Sequence, residues 1–166
     1  GHDPQNLGDA ELVVYTAAVP ADNPELTEAA RRGLPVLERA QLLGMISRRY
    51  SRTVAVAGTH GKTTTSSLLT QILLEAGRDP SAFIGGRLPA IDANGRAGRS
   101  PLFVCEACEF KDHYLQMRPA ISVILDIDAD HLDYFGSLDN IIRSFHRFAE
   151  LTSEAVIYNR DDKNTC

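Results

Sequence analysis

The sequence predicts an α/β fold: a mainly parallel sheet with helices on both faces. The central domain is of the phosphate-loop type and follows the tail of a Rossmann-like domain. Three observations predict it. Strand-like apolar runs alternate with segments of helical period along the whole chain. The runs "LFVCE" (residues 102–106) and "AISVILDI" (residues 120–127) are continuously apolar, as parallel strands buried on both faces are. And "TVAVAGTHGKTTT" sets a glycine-framed loop between a strand and a helix.

The elements follow in order. "ELVVYTAAV" (11–19) reads as a buried strand running into a loop. "ADNPELTEAARRG" reads as a short helix, with Asp22 or Asn23 as cap, Pro24 in its first turn and Gly33 at its end. "LPVL" (34–37) is a short strand, and "ERAQLLGMISRRY" a helix with Leu42, Leu43 and Ile46 on one face. The strand 53–57 leads into the glycine loop. Beyond it Leu68, Leu69, Ile72, Leu73 and Ala76 recur at helical spacing as far as Gly77. "DPSAFIGGRLPAIDANGRAGRSP" is rich in Gly and Pro and reads as loop, with a short strand at 82–84. "SLDNIIRSFHRFAEL" is a helix capped by Ser137, with Leu138, Ile141, Ile142, Phe145 and Phe148 inward. "AVIY" (155–158) is the last strand. The best domain boundary is at residues 51–52, giving an N-terminal part of 1–50 and a central domain of 51–166. Both ends read as cut, so a piece of a longer protein is expected.

Composition narrows the function. The chain has 166 residues, is 43% hydrophobic and 23% charged, and carries a net charge of −5. That is ordinary globular composition. No basic run stands out, which argues against nucleic-acid binding. No apolar run approaches the roughly 20 residues of a membrane helix. The first residues do not resemble a signal peptide. The default is a soluble cytoplasmic protein. Three cysteines do not make a disulfide scaffold.

The loop carries the chemistry. Gly58 and Gly61 frame Thr59 and His60; Lys62 follows, and Thr63 and Thr64 open the helix. Backbone N–H groups of such a loop can face phosphate oxygens, and the helix N-terminus adds partial positive charge. Lys62 supplies a mobile charge for the β and γ phosphates, and the Thr63 hydroxyl stands where it could ligate Mg²⁺. The common pattern G-x-x-x-x-G-K-[ST] would put glycine at Val56, so this loop is a compact form of it. The competing reading is a plain strand-to-helix turn.

"AVAGTHGKTTT", "VVYTAAVPADNPEL", "GLPVLERAQLL" and "FVCEACEFKDHYLQMRPAISVILDIDADHLDYF" together resemble the Mur ligases, and most nearly the branch that adds alanine. The resemblance implies an ATP-dependent amide ligase of peptidoglycan precursor synthesis, with ATP and Mg²⁺ as cofactors. Its substrates would be UDP-N-acetylmuramate and L-alanine. ATP would phosphorylate the sugar's carboxylate, and the amine of L-alanine would attack the acyl phosphate. Carried over, Lys62, Glu106 and His131 are the catalytic residues, and Thr63, Glu106 and His131 hold metal. The loop residues Gly58 to Thr64 bind nucleotide, and Gly85 and Gly86 resemble a loop near the UDP-sugar. Residues 1–50 would be the C-terminal part of the UDP-sugar-binding domain. Asp126 departs from the family, many members of which have Asn there. Several sister ligases carry a carbamylated lysine after the metal histidine. Here Arg143, His146 and Arg147 follow, and no lysine.

Other patterns are weaker. "CEAC" (105–108) has C-x-x-C spacing, but no second pair follows to complete a zinc site, so two small buried residues flanking Glu106 are expected. "DIDADHLD" fails as a calcium loop, because His131 and Ser137 fill the positions of its glycine and its glutamate. His131 at a strand end is placed for metal, and Glu106 likewise sits at an edge where α/β sheets bind ligands. Two readings compete with the ligase. One is a nucleotide-binding module without catalysis; the other is a recycling ligase that adds a whole peptide to the same UDP sugar.

Overall fold

A computed structural model describes residues 1–166. The chain forms two compact units, Gly1–Leu43 and Gly44–Cys166. In the first, β1 (Val13–Tyr15), α1 (Pro24–Arg32) and β2 (Val36–Glu38) make one parallel unit, with Val13 opposite Val36. Asn23 caps α1 by accepting the N–H groups of Glu25 and Leu26 at 2.9 and 3.3 Å. Gly33, at φ 68°, closes it. The division between the units falls within α2 (Arg39–Ser47).

The second unit is built on a six-stranded sheet. Its strands are β3 (Arg52–Ala57), β4 (Ser81–Leu88), β5 (Ala93–Arg96), β6 (Leu102–Glu106), β7 (Ile121–Ile124) and β8 (Ala155–Tyr158). They lie in the order β5-β4-β6-β3-β7-β8, and only β5 is antiparallel. β3 is central and buried from Thr53 to Ala57, as its unbroken run of small and branched residues requires. α3 (Lys62–Glu75) carries the chain from β3 towards β4. α4 (Leu132–Phe135) and α5 (Leu138–Glu150) carry it from β7 to β8. These departures run in opposite directions across the sheet. They open a crevice beyond the C-terminal ends of β3 and β7, where open α/β sheets place ligands.

An aromatic nest anchors the segment before β7. Tyr114 stacks on Phe148 with centroids 4.6 Å apart and meets Phe145 edge-on at 5.3 Å. All three rings are buried. α5 presents Ile141, Phe145 and Phe148 to the core as expected, with Leu138 and Ile142 half-buried. Ser137 caps it through the Asn140 N–H.

Two expectations are corrected. The stretch read as loop is a β4–β5 hairpin, in which β4 runs eight residues rather than three. And the apolar stripe of α3 is not wholly inward: Leu68 is 57% and Ile72 63% exposed, whereas Ser66 and Thr70 are fully buried. Thr70 donates to the Ser66 carbonyl at 2.7 Å and Ser66 to that of Thr63 at 3.2 Å. Hydroxyls satisfied on their own helix can be buried, and being small they suit a helix lying close on the sheet.

Candidate phosphate-loop site

The loop between β3 and α3 is shaped by close backbone approach. Gly58 has φ 138°, and a Cβ there would stand 2.9 Å from Asp126 Oδ1 and 3.0 Å from Leu125 Cβ. Only glycine lets the loop lie this close to the segment leaving β7. Three hydrogen bonds then clasp the two segments. Thr59 N–H donates to the Asp126 carbonyl at 3.1 Å, and His60 N–H to Asp126 Oδ1 at 2.9 Å. Asp128 N–H donates to Thr59 Oγ1 at 2.8 Å. The His60 ring is exposed, 3.9 Å from Asp128 Oδ2. Gly61 caps α3 with no side-chain hydrogen bond, so no side chain competes for the N–H groups of the first turn.

Lys62 is only 17% exposed and folds back over its own loop. Its ammonium donates to the carbonyls of Gly58 and Thr59, and to both carboxylate oxygens of Glu109 at 3.0 and 3.1 Å. Glu109 is nearly inaccessible, its side chain 4% exposed, and stands just before a 3-10 segment (Phe110–Gln116). His131 Nε2 lies 4.0 Å from the same carboxylate. Its ring packs against Phe110, centroids 4.7 Å apart. His131 has φ 51°, a left-handed conformation that costs a non-glycine residue about 1 kcal/mol. The hydrogen bond from its N–H to Asp130 Oδ1, at 2.7 Å, offsets part of that.

Glu106 ends β6 on the other side of β3. Its Oε1 accepts the Gly85 N–H and shares the single Ser66 hydroxyl proton with the Thr63 carbonyl, each 3.2 Å from that hydroxyl. A Cβ on Gly85 would fall 2.6 Å from Glu106 Oε2, so this glycine makes room for the carboxylate. The Thr63 methyl sits beside Gly86, where an added Cβ would be 3.2 Å from it. Thus Glu106 and Thr63 both border the Gly85–Gly86 stretch of β4. Lys62 and His131 instead converge on Glu109.

No three His, Cys, Asp or Glu side chains form a ready-made metal cage. The Thr63 hydroxyl and the Glu106 carboxylate, both hard oxygen donors, nevertheless fit Mg²⁺. That ion is usually held by one or two protein oxygens, with phosphates and water completing its shell. Glu109 and the clasping role of Asp126 went unread in the sequence. The only available signal for Glu109 was a second acid one helical turn's spacing after Glu106. Of the "CEAC" pair, Cys105 is buried but Cys108 is exposed, correcting the expectation of two buried residues. Burial, and then the Glu106 charge, push the Cys105 thiol well above its ordinary range, which disfavours the thiolate that redox or zinc chemistry needs.

A central parallel strand feeding a glycine loop, a lysine and a helix defines a phosphate-loop α/β protein. Residues 56–166 match the Mur ligase middle domain, and residues 1–51 match the model described as the Mur ligase family, catalytic domain. The chain belongs to the Mur ligase family. It is 49% identical over 166 residues to the UDP-N-acetylmuramate–L-alanine ligase of Acetivibrio thermocellus, covering 99% of this chain and 35% of that protein. The crystal structure of the UDP-N-acetylmuramate–alanine ligase of Thermotoga maritima superposes with a TM-score of 0.91 at 29% identity, covering 99% of this chain and 39% of that one. That of the UDP-N-acetylmuramate:L-alanyl-γ-D-glutamyl-meso-diaminopimelate ligase of Neisseria meningitidis gives 0.86 at 27% identity, covering 99% and 57%. The chain spans about a third of the length of the curated relatives it matches. No helix is long and apolar enough to cross a membrane.

Proposed function

We propose that these residues are the ATP-side machinery, with the adjoining end of the UDP-sugar domain, of an ATP-dependent amide ligase. It joins L-alanine to UDP-N-acetylmuramate in peptidoglycan precursor synthesis. The observation that carries this reading is the grouping of the 58–61 loop, Lys62, Glu106 and His131 at the C-terminal ends of three adjacent strands, β6, β3 and β7. On this reading residues 58–64 hold the nucleotide, with Lys62 on the β and γ phosphates. Thr63, Glu106 and His131 would hold Mg²⁺, with His131 contributing from the far side of the crevice. Mg²⁺ held there would supply charge neutralisation. Phosphoryl transfer needs mainly alignment and offset charge, which a fixed loop, a lysine and placed carboxylates provide. A carboxylate oxygen of the sugar displaces ADP from the γ phosphorus, and the amine then displaces phosphate from the acyl carbon.

A second reading, a ligase that joins a peptide to the same sugar, rests on the likeness to the Neisseria enzyme. We rank it second because the curated alanine ligase is 49% identical, although among solved structures the two kinds stand at 29% and 27%.

The test is calorimetric titration of the chain with a non-hydrolysable ATP analogue, with and without Mg²⁺. Mg²⁺-dependent binding is expected, weakened at least tenfold by Lys62→Ala. Equal binding by both proteins would remove the phosphate-loop role. The 166 residues alone are expected to bind nucleotide without ligating, because the matched relatives are about three times longer. Phosphate release on adding UDP-N-acetylmuramate, L-alanine and ATP to this chain would contradict that. Substituted for the matched third of the Acetivibrio ligase, the same residues are expected to support ligation.

A further inference from the structure

We propose that Glu109 is the resting partner of Lys62: a buried carboxylate that holds the ammonium where a phosphate would otherwise draw it, and that nucleotide must displace. The inference rests on the reading of residues 58–64 as a phosphate loop.

An ammonium has three protons to donate. Here the carbonyls of Gly58 and Thr59 and the Glu109 carboxylate take all of them. The two carbonyls belong to the loop backbone, which the clasp to residues 126–128 fixes. They are neutral and need not yield to an anion. Glu109 differs on both counts. It is a side chain reaching Lys62 from outside the loop, 47 residues on, and it is charged. A phosphate approaching Lys62 therefore meets a like charge already on the ammonium, inside a site where water screens little.

The burial of Glu109 sharpens the exchange. With its side chain 4% exposed, it cannot simply turn into solvent when phosphate takes Lys62. A buried carboxylate stripped of its cation is strongly unfavourable. The other basic side chain beside it is His131, whose Nε2 lies 4.0 Å away. Glu109 therefore keeps Lys62 folded into the loop, and it also weakens the empty loop's grip on anions. Removing the negative charge while keeping the shape should tighten binding. A merely structural residue would give the opposite result, because loss of a support loosens the site.

The experiment is calorimetric titration of ADP in the presence of a chelator, on the wild-type chain, Glu109→Gln and Glu109→Asp, each first checked for folding by circular dichroism. Glu109→Gln is expected to bind metal-free ADP about tenfold more tightly than wild type. Glu109→Asp, which draws the carboxylate back by one methylene, is expected to fall between them, and it carries the test if Glu109→Gln does not fold. Unchanged or weaker binding in a folded variant, with wild type binding normally, overturns the role of Glu109 and leaves the phosphate loop standing. Binding by Glu109→Gln where wild type shows none supports the proposal. No metal-free binding by any of the three folded proteins overturns this inference, while the phosphate-loop reading is decided separately by the titration with Mg²⁺ and Lys62→Ala.

Discussion

Gly58 and Gly85 look alike in the sequence, but their surroundings give them different roles. A Cβ on Gly58 meets backbone as well as side chain, at Asp126 N and Oδ1, and would have to adopt φ 138°. Gly58→Ala is therefore expected to destabilise the fold by about 1–3 kcal/mol, read as a lower denaturation midpoint. A Cβ on Gly85 meets only the far end of Glu106. Gly85→Ala should leave the melting temperature near wild type but push the Glu106 carboxylate aside. The expected signature is loss of most of the Mg²⁺-dependent gain in nucleotide affinity, and a retained Mg²⁺ effect would separate Glu106 from the metal. What was legible here follows from chain distance. The glycines, Lys62 and the threonines stand next to one another in the sequence, so their joint chemistry can be read directly. Glu109 and Asp126 meet the loop across 47 and 66 residues, and no local pattern announces such contacts. The αL turn at His131 was likewise hidden, since its φ is set by neighbours rather than by residue type.

Elements with one clear signal were read well. The strands 102–106 and 155–158 lie where their apolar runs begin and end, and α5 starts at the serine that caps it. Mixed signals misled. Gly and Pro made the β4–β5 hairpin look like loop, although Gly85 and Gly86 serve close approach to Glu106 and Thr63 rather than a turn. The leucines of α3 suggest an inward apolar stripe, whereas Ser66 and Thr70 are the residues it buries. Leu68→Gln and Ile72→Gln should accordingly shift stability by less than about 0.5 kcal/mol, while Thr70→Leu overpacks the buried face and costs about 1–3 kcal/mol. The hairpin has its own pH signature. Asp79 accepts the Arg99 N–H and pairs with the Arg96 and Arg99 guanidinium groups, and these partners hold its carboxyl down from the ordinary 3.8 to about 2. A lowered folded pKa means its contribution is complete above about pH 4 and is lost as pH falls towards 2. Protection of the 81–96 amides, taken relative to their intrinsic exchange rates, should fall across that window. Asp79→Asn should raise exchange at neutral pH and flatten the acid dependence.

At the scale of the whole second unit, one sheet supports both the loop and the aromatic nest, so binding and stability are linked. Phe148 is fully buried against Tyr114, and it fixes the segment that follows Glu109. Phe148→Ala should lower stability by about 3–5 kcal/mol. The parallel order of the sheet was legible from its apolar runs. The opposed departures of α3 and α5, which make the crevice, were not, because strand order is settled by packing between segments distant in the chain. That crevice supplies a further test. A ligand that binds only the folded state at 100 times its Kd adds about 2.7 kcal/mol of stability, which for a domain of this size raises Tm by several degrees. Saturating Mg²⁺ and nucleotide should therefore raise the wild-type melting temperature by that amount and raise that of Lys62→Ala by no more than about half as much. Glu109→Gln separates the two ideas built on the crevice. It should start from a lower melting temperature, having lost the buried partner of Lys62, yet gain more on metal-free ADP than wild type does at the same concentration. A lower starting point with no larger gain would make Glu109 a support for the fold and nothing more.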